Sequence, residues 1–268
     1  GITFEYVDVR DLALVGKRMR PETKLVFIET PSNPMMQISD IAALSALAHE
    51  NGALLAVDNT FLSPHFQKPL TLGADIVLHS GTKYLCGHND VIAGFLVLKD
   101  ATSAQAKRIE LLAKSAGPNL SALDSWLMLR SIKTLGVRVE RQAENALAIA
   151  RWLGTLPEVT EVLYPGLADH PGYALQQKQA SGAGGMISFK VRSAELAKAA
   201  LGKLHLIAFA ESLGGVETLL TYPIAQTHAE MPAALLKRTG LDDKLLRLSV
   251  GIEDVEDLKA DLQQALQG

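Results

Sequence analysis

Lys83 closes a short apolar run and a cluster of small hydroxylated residues, Ile76-Val77-Leu78-His79-Ser80-Gly81-Thr82-Lys83-Tyr84. The pattern reads as a buried strand that delivers an amine to a turn rich in hydroxyl and amide donors, a suitable cradle for a phosphate. A free lysine amine titrates near ~10.4, so it serves as nucleophile or base at neutral pH only through burial, a nearby cation or conversion to an imine. Upstream, Leu55-Ala56-Val57-Asp58-Asn59-Thr60 is another apolar run ending on a carboxylate. A carboxylate held against a pyridine nitrogen keeps that ring protonated and electron-withdrawing. Lys83 and Asp58 together therefore have the chemistry to hold pyridoxal 5′-phosphate, with the lysine as its Schiff-base partner. Taken singly, each has a plainer explanation: a strand-end turn with a surface lysine, and a turn or helix cap.

Arg247 lies inside the apolar run Leu245-Leu246-Arg247-Leu248-Ser249-Val250-Gly251. A buried arginine is costly without an anion, and its planar fork matches a carboxylate, so an amino-acid substrate accounts for it. A structural salt bridge, or an outward position on an exposed sheet face, accounts for it equally well. His79, Cys86 and His88 match no standard zinc-ligand spacing, and no metal is expected. The phosphate-loop, dinucleotide and serine-hydrolase signatures GxxxxGK[ST], GxGxxG and GxSxG are not found.

The elements around these residues read as an α/β arrangement. Residues 24–29 form a continuous apolar run, expected as a strand covered on both faces. A helix follows, capped by Ser39 or Asp40, with Ile41, Leu44 and Leu47 or Ala48 at helical spacing and Asn51-Gly52 as its stop. Residues 53–57 are the next strand, giving a right-handed β-α-β unit whose ligands belong beyond the carboxyl ends of the strands, where Glu29, Asp58 and Ser80 fall. Residues 91–98 read as a further strand, 102–114 as a helix, and 121–135 and 137–153 as long helices with Trp126 and Trp152 on core faces. A C-terminal α+β region is expected, with strands at 185–191, 205–209, 217–221 and 245–250 and helices at 194–204, 229–237 and 255–266. The first eight residues read as a strand in progress. The expected organisation is a cofactor-binding domain over 1–118, connecting helices over 119–154 and a smaller domain over 155–268.

With 268 residues, 48% hydrophobic and 21% charged, the chain has the makeup of an ordinary globular protein with a sizeable core. A formal charge of −3 argues against nucleic-acid binding, and Lys17, Arg18 and Arg20 read as a solvated cluster. The single cysteine excludes an internal disulfide and fits a reducing, cytoplasmic setting. No apolar run is long enough for a membrane span.

Several motifs, in order, resemble one family. Glu29-Thr30-Pro31-Ser32-Asn33-Pro34, Val57-Asp58-Asn59-Thr60-Phe61, His79 to Tyr84 followed by Gly87-His88-Asn89-Asp90, Glu211-Ser212-Leu213-Gly214-Gly215-Val216-Glu217 and Arg247 to Asp254 are similar to the Cys/Met-metabolism, or trans-sulfuration, family of pyridoxal-phosphate enzymes. The resemblance implies fold type I, aspartate-aminotransferase-like: a mostly parallel sheet with helices on both faces, plus a smaller C-terminal α+β domain. By that resemblance Lys83 is the Schiff-base lysine and proton shuttle, Asp58 pairs with the pyridinium, and Thr60 lies against the ring. Ser80 and Thr82 hold the phosphate, Asn33 binds the phenolic oxygen, and Arg247 clamps the substrate carboxylate with Ser212, which also orients Lys83. Glu211 before Ser212 resembles cystathionine γ-lyase and γ-synthase, where the β-lyases tend to carry an aromatic residue. The implied activity makes or breaks a C–S bond at the γ-carbon of a homoserine-derived amino acid, in a homotetramer built from dimers. The alternatives are an O-acyl-homoserine sulfhydrylase, a methionine γ-lyase, or an inactive fragment, because the family's N-terminal segment, with its ring-stacking aromatic and phosphate-binding loop, has no counterpart in these residues.

Overall fold

A computed structural model describes residues 1–227, 229–230 and 232–267. Residues 1–8 are exposed or half-buried and form no strand, so the expected first strand is absent there. Helix α1 (Leu12–Arg18), which sequence reading did not anticipate, is capped by Asp11, whose carboxylate accepts from Leu14 N at 2.9 Å. Strand β1 (Leu25–Glu29), helix α2 (Ile41–Glu50) and strand β2 (Leu54–Asp58) form the expected β-α-β unit. Asp40, rather than Ser39, caps α2 by accepting from Ala43 N at 2.9 Å. The short helix α3 (Ser63–Phe66) leads to strand β3 (Ile76–Ser80) and strand β4 (Gly94–Leu98).

These strands make one four-stranded sheet in the order β1-β2-β3-β4, parallel except for the antiparallel β4. Ile28, Leu55 and Val57 pack against Ile41, Leu44 and Val15 on one face. On the opposite face Leu25 is 48% and Phe27 54% exposed, so β1 is not covered on both sides as its apolar run implied. An unbroken apolar run cannot reveal which of its faces finds a partner within the same chain.

Helices α4 (Ala104–Ala116), α5 (Ala122–Ile132) and α6 (Leu135–Leu153) follow. Trp126 is 58% exposed, not core: with Leu123 and Leu129 it makes an outward apolar stripe on α5. Trp152, by contrast, packs against the core. Helix α6 serves two cores, since Leu135 and Val139 pack with Tyr84 and Leu85, and Ala146, Ile149, Ala150 and Leu153 pack under the second sheet.

The remaining elements are β5 (Val159–Leu163), α7 (Tyr173–Gln179), β6 (Met186–Val191), α8 (Ala194–Leu201), β7 (Ala208–Phe209), β8 (Leu219–Thr221), α9 (Ala233–Thr239), β9 (Leu245–Ser249) and α10 (Val255–Leu266). The second sheet has the order β5-β6-β9-β8-β7 and is antiparallel apart from the β7–β8 pair. The helix expected from residue 229 begins at Ala233, and residue 231 of that expectation lies outside the described residues. Strands expected over 205–209 and 217–221 shrink to residues 208–209 and 219–221: the backbone N–H groups of residues 205–207 are drawn to the Asp261 carboxylate at 2.8–2.9 Å, and Thr218 N to Glu253 Oε1 at 2.6 Å. Among the described residues no helix is long and apolar enough to cross a membrane.

Candidate active site

The parallel strands bring three side chains to one place. Register sets Glu29 opposite Asp58 and Asp58 opposite Leu78, and side chains alternate along a strand, so Glu29, Asp58 and Ser80 share one face at the carboxyl ends. Thr60 fastens those ends, its hydroxyl accepting from Ser80 N at 2.8 Å. Asp58 Oδ1 accepts from Thr60 N at 2.9 Å, while its second oxygen has no partner among the described residues. His79 points to the opposite face with Phe95, Cys86 Sγ donates to Asp90 Oδ1 at 3.0 Å, and His88 Nδ1 lies 2.7 Å from Cys86 O. Among the described residues no three His, Cys, Asp or Glu side chains are placed to hold a metal ion.

Beyond β3 the backbone winds into a wide turn over residues 81–85, in which Cys86 N donates to Gly81 O at 3.0 Å and Gly87 N to Lys83 O at 2.7 Å. Lys83 breaks the helical path at φ −93°, ψ −128°, and its Nζ donates to Ser212 Oγ at 3.1 Å. Burial, reinforced by the Arg247 cation, lowers the Lys83 pKa, and Glu211 opposes the shift. Gly214 explains how the Ser212 loop comes so close: at φ +77°, a Cβ there would lie 2.6 Å from Tyr84 N.

Two features of the turn escaped sequence reading. Arg138 on α6 is buried and donates to Tyr84 O at 2.9 Å, Leu85 O at 3.5 Å and Ser131 O at 3.0 Å, and to Thr134 Oγ1 at 3.1 Å. Gln142, one turn on, donates to Gly215 O at 2.6 Å. The available signal was their position on the apolar stripe of α6 with Leu135, Val139 and Ala146.

The expected phosphate ligands differ from each other. Ser80 Oγ has no protein partner among the described residues, whereas the Thr82 hydroxyl donates to Ala93 O at 3.3 Å and accepts from Ala93 N at 3.0 Å. Thr82 thus ties the turn to the segment entering β4.

Arg247 is 1% exposed, which removes the outward-facing alternative. It donates from Nη1 to Asn33 Oδ1 at 2.9 Å, and from Nη2 to Glu211 O at 2.7 Å, Ser212 O at 3.4 Å and Thr221 Oγ1 at 3.1 Å. All these acceptors are neutral. None of the ion pairs among the described residues involves Arg247, and its Nε is buried without a partner. Burial pulls its pKa down to about 10, partly offset by Glu29 and Glu211 acting through space, so the guanidinium stays charged at neutral pH with no carboxylate among the described residues within ion-pairing distance.

The groups left over match pyridoxal phosphate in kind. Lys83 Nζ offers an amine for the aldehyde, the free Asp58 oxygen an acceptor for a pyridinium, Ser80 Oγ a donor for phosphate, and Asn33 Nδ2, unpartnered among the described residues, a donor for the phenolic oxygen. Glu211 stands exposed at the rim beside Ser212. An amine and a carboxylate at neighbouring strand ends, facing a buried unpaired cation, are the equipment of a pyridoxal-phosphate-dependent enzyme on a type I fold.

Residues 1–267 match the family described as Cys/Met metabolism PLP-dependent enzyme, and the chain belongs to that family. It is 48% identical to a cystathionine gamma-lyase of Bacillus subtilis (strain 168) over 267 residues, covering 100% of this chain and 70% of the relative. A cystathionine beta-lyase of the same organism is 45% identical over 266 residues, 99% of this chain and 68% of that protein. Among solved structures, cystathionine gamma-lyase from Lactobacillus plantarum complexed with L-serine superposes with a TM-score of 0.94 at 42% identity, covering 99% of this chain and 69% of that one.

Proposed function

We propose that this enzyme makes or breaks the C–S bond at the γ-carbon of a homoserine-derived amino acid, in the manner of a cystathionine γ-lyase or γ-synthase. The observation that carries the reading is the Glu211-Ser212 segment. Its carbonyls accept from Arg247, its serine hydroxyl receives Lys83 Nζ at 3.1 Å, and its glutamate carboxylate is exposed. Amine, carboxylate anchor and a distal anion therefore lie along one short stretch of chain, matching a substrate with a carboxylate at one end and a second ammonium at the other.

Pyridoxal phosphate, when bound, supplies an electron sink that acidifies the hydrogens of the amino acid beside it. Arg247 holds the substrate carboxylate, and Asn33 fixes the guanidinium edge that faces it. Lys83, its pKa lowered by burial, is a base able to take a proton from Cα, and Ser212 steers its amine between successive carbons. Asp58 keeps the proton on the ring nitrogen, Thr60 and Ser80 secure ring and phosphate, and Thr82 holds the turn that carries them.

Product analysis of the purified protein tests the reading. Cystathionine cleaved at the γ-carbon gives cysteine and 2-oxobutanoate, and an activated homoserine ester with cysteine gives cystathionine. Homocysteine and pyruvate as the only products would reassign the enzyme to β-cleavage. Borohydride reduction should abolish the visible cofactor band and label Lys83. We further infer a cytoplasmic homo-oligomer, a dimer of dimers, supported by the outward stripe of Leu123, Trp126 and Leu129, exposed by 64%, 58% and 68%. Sedimentation of the protein at several concentrations checks it.

A further inference from the structure

The Glu29 carboxyl has no part in the scheme above, yet it stands where the two sheets meet the site. It ends β1, lies opposite Asp58 on the same face, and its Oε2 accepts from Asn33 N at 2.9 Å. Asn33 Oδ1 in turn accepts from Arg247 Nη1 at 2.9 Å, and Arg247 Nη2 grips Glu211 O at 2.7 Å. A hydrogen-bonded relay thus runs from the end of the first sheet, through Asn33, to the arginine of β9 and on to the Ser212 loop.

We propose that Glu29 is a positioning residue: its carboxylate fixes the backbone of Asn33 so that one side chain can serve cofactor and Arg247 at once, and proton uptake by Glu29 weakens that fixation. The inference rests on the roles given above to Asn33 and Arg247. The reason for the second half is electrostatic. A carboxylate accepts an N–H bond roughly twice as strongly as a neutral acid does, so the same contact is firmer when Glu29 is charged. The charged groups facing Glu29 are Asp58 from β2 and Arg247 from β9. No lysine or arginine forms an ion pair with it among the described residues. Burial raises its pKa to about 7, aided by Asp58 and opposed by the Asn33 N–H and Arg247. Loss and gain of its proton therefore fall in the working range.

The test reads Asn33 directly, in apoprotein labelled with 15N-asparagine. The backbone amide of Asn33 should move with pH about a midpoint near 7. Glu29→Gln, which keeps the acceptor but not the charge, should make that resonance independent of pH, and Asp58→Asn should lower the midpoint by removing a like charge. Glu29→Ala should raise the Kd for pyridoxal phosphate about tenfold, the worth of one buried hydrogen bond, and Glu29→Gln should restore it to within about threefold. An Asn33 amide that does not respond between pH 5.5 and 8.5 in the unaltered protein, or one that still titrates in Glu29→Gln, overturns the proposal. If the titration behaves as expected while the protein neither cleaves cystathionine at the γ-carbon nor forms it from an activated homoserine ester and cysteine, the functional reading falls and this one stands.

Discussion

The cleanest perturbation of the lysine turn is at Gly87, which touches neither cofactor nor substrate in the scheme above. Gly87 sits at φ +73°, and a Cβ built on it would collide with the guanidinium of Arg138. Two costs follow for Gly87→Ala. Alanine in the left-handed region is disfavoured by about 1–2 kcal/mol. Displacing Arg138 loosens its bonds to Tyr84 O and Ser131 O, and a hydrogen bond from a charged donor contributes about 1.5–3 kcal/mol. With one such bond lost, the expected destabilisation is about 2.5–5 kcal/mol, read from urea unfolding. Arg138→Ala removes the steric share, so in that background Gly87→Ala should cost only the backbone share of about 1–2 kcal/mol. The two substitutions should thus couple by roughly 2 kcal/mol, and the single Gly87→Ala variant should also broaden the visible band of the bound cofactor, because Lys83 begins the displaced segment. Additivity within about 0.5 kcal/mol would show that Gly87 and Arg138 do not share the load, and the account of the turn would be wrong.

Asp58→Asn should keep the fold but lower kcat/KM by at least about a hundredfold, since a neutral amide cannot hold a ring proton; steady-state kinetics with saturating cofactor reads it. Arg247→Lys should raise KM for the amino acid at least tenfold, or about 1.4 kcal/mol, because a point charge replaces a fork whose Nη groups bind Asn33, Glu211 O and Thr221; a larger effect on kcat than on KM would place the carboxylate elsewhere. Glu29 sets a pH dependence of stability. Its folded pKa of about 7 lies above its ordinary 4.5, so the folded state binds the extra proton between those values and stability falls as pH rises through that window. At about 1.4 kcal/mol per tenfold change in proton affinity, the loss approaches roughly 3 kcal/mol, and Glu29→Gln should flatten this part of the stability–pH curve measured by urea unfolding of apoprotein.

Lys83 and Asp58 stood out in the sequence because each sits at the abrupt polar end of an apolar run, whereas Ser212 was expected only through the family resemblance. Local patterns likewise placed β2, β3, β9, α2 and α10. What sequence reading missed depends on partners far along the chain. Helix α7 and strand β5 carry short, weakly periodic patterns. Trp126 belongs to a perfectly good amphipathic stripe, and amphipathicity says that a face is apolar without saying whether this chain covers it. Glu29 looked like the polar end of a strand until the register put it opposite Asp58 and the loop brought Asn33 back to it. Thr82 and Ser80 are equivalent as residue types, and only Ala93, folded against one of them, tells them apart.

The two buried arginines make the distinction between support and function physical. Arg138 has every nitrogen engaged, to Thr134 Oγ1 and to the carbonyls of Tyr84, Leu85 and Ser131, and these acceptors come from the same turn and helix end that it holds together. Nothing remains for a ligand. Arg247 is buried as deeply but keeps Nε without a partner, and its Nη1 reaches across to Asn33 in the loop that follows β1 of the other sheet. Leaving a buried donor unsatisfied costs about 1–3 kcal/mol, a cost that a ligand carboxylate arriving at that edge would offset. The same logic sorts the carboxylates. Asp261 is engaged by the N–H groups of residues 205–207 and stabilises a loop, whereas Asp58 keeps one oxygen open on the face it shares with Ser80 and Glu29. Unmet hydrogen-bonding capacity alone does not mark the site, since Gln67, His79 and Gln176 also bury atoms without a partner; what separates it is that an unpartnered guanidinium nitrogen, an open carboxylate oxygen and a lysine amine converge where two sheets and a lysine turn meet.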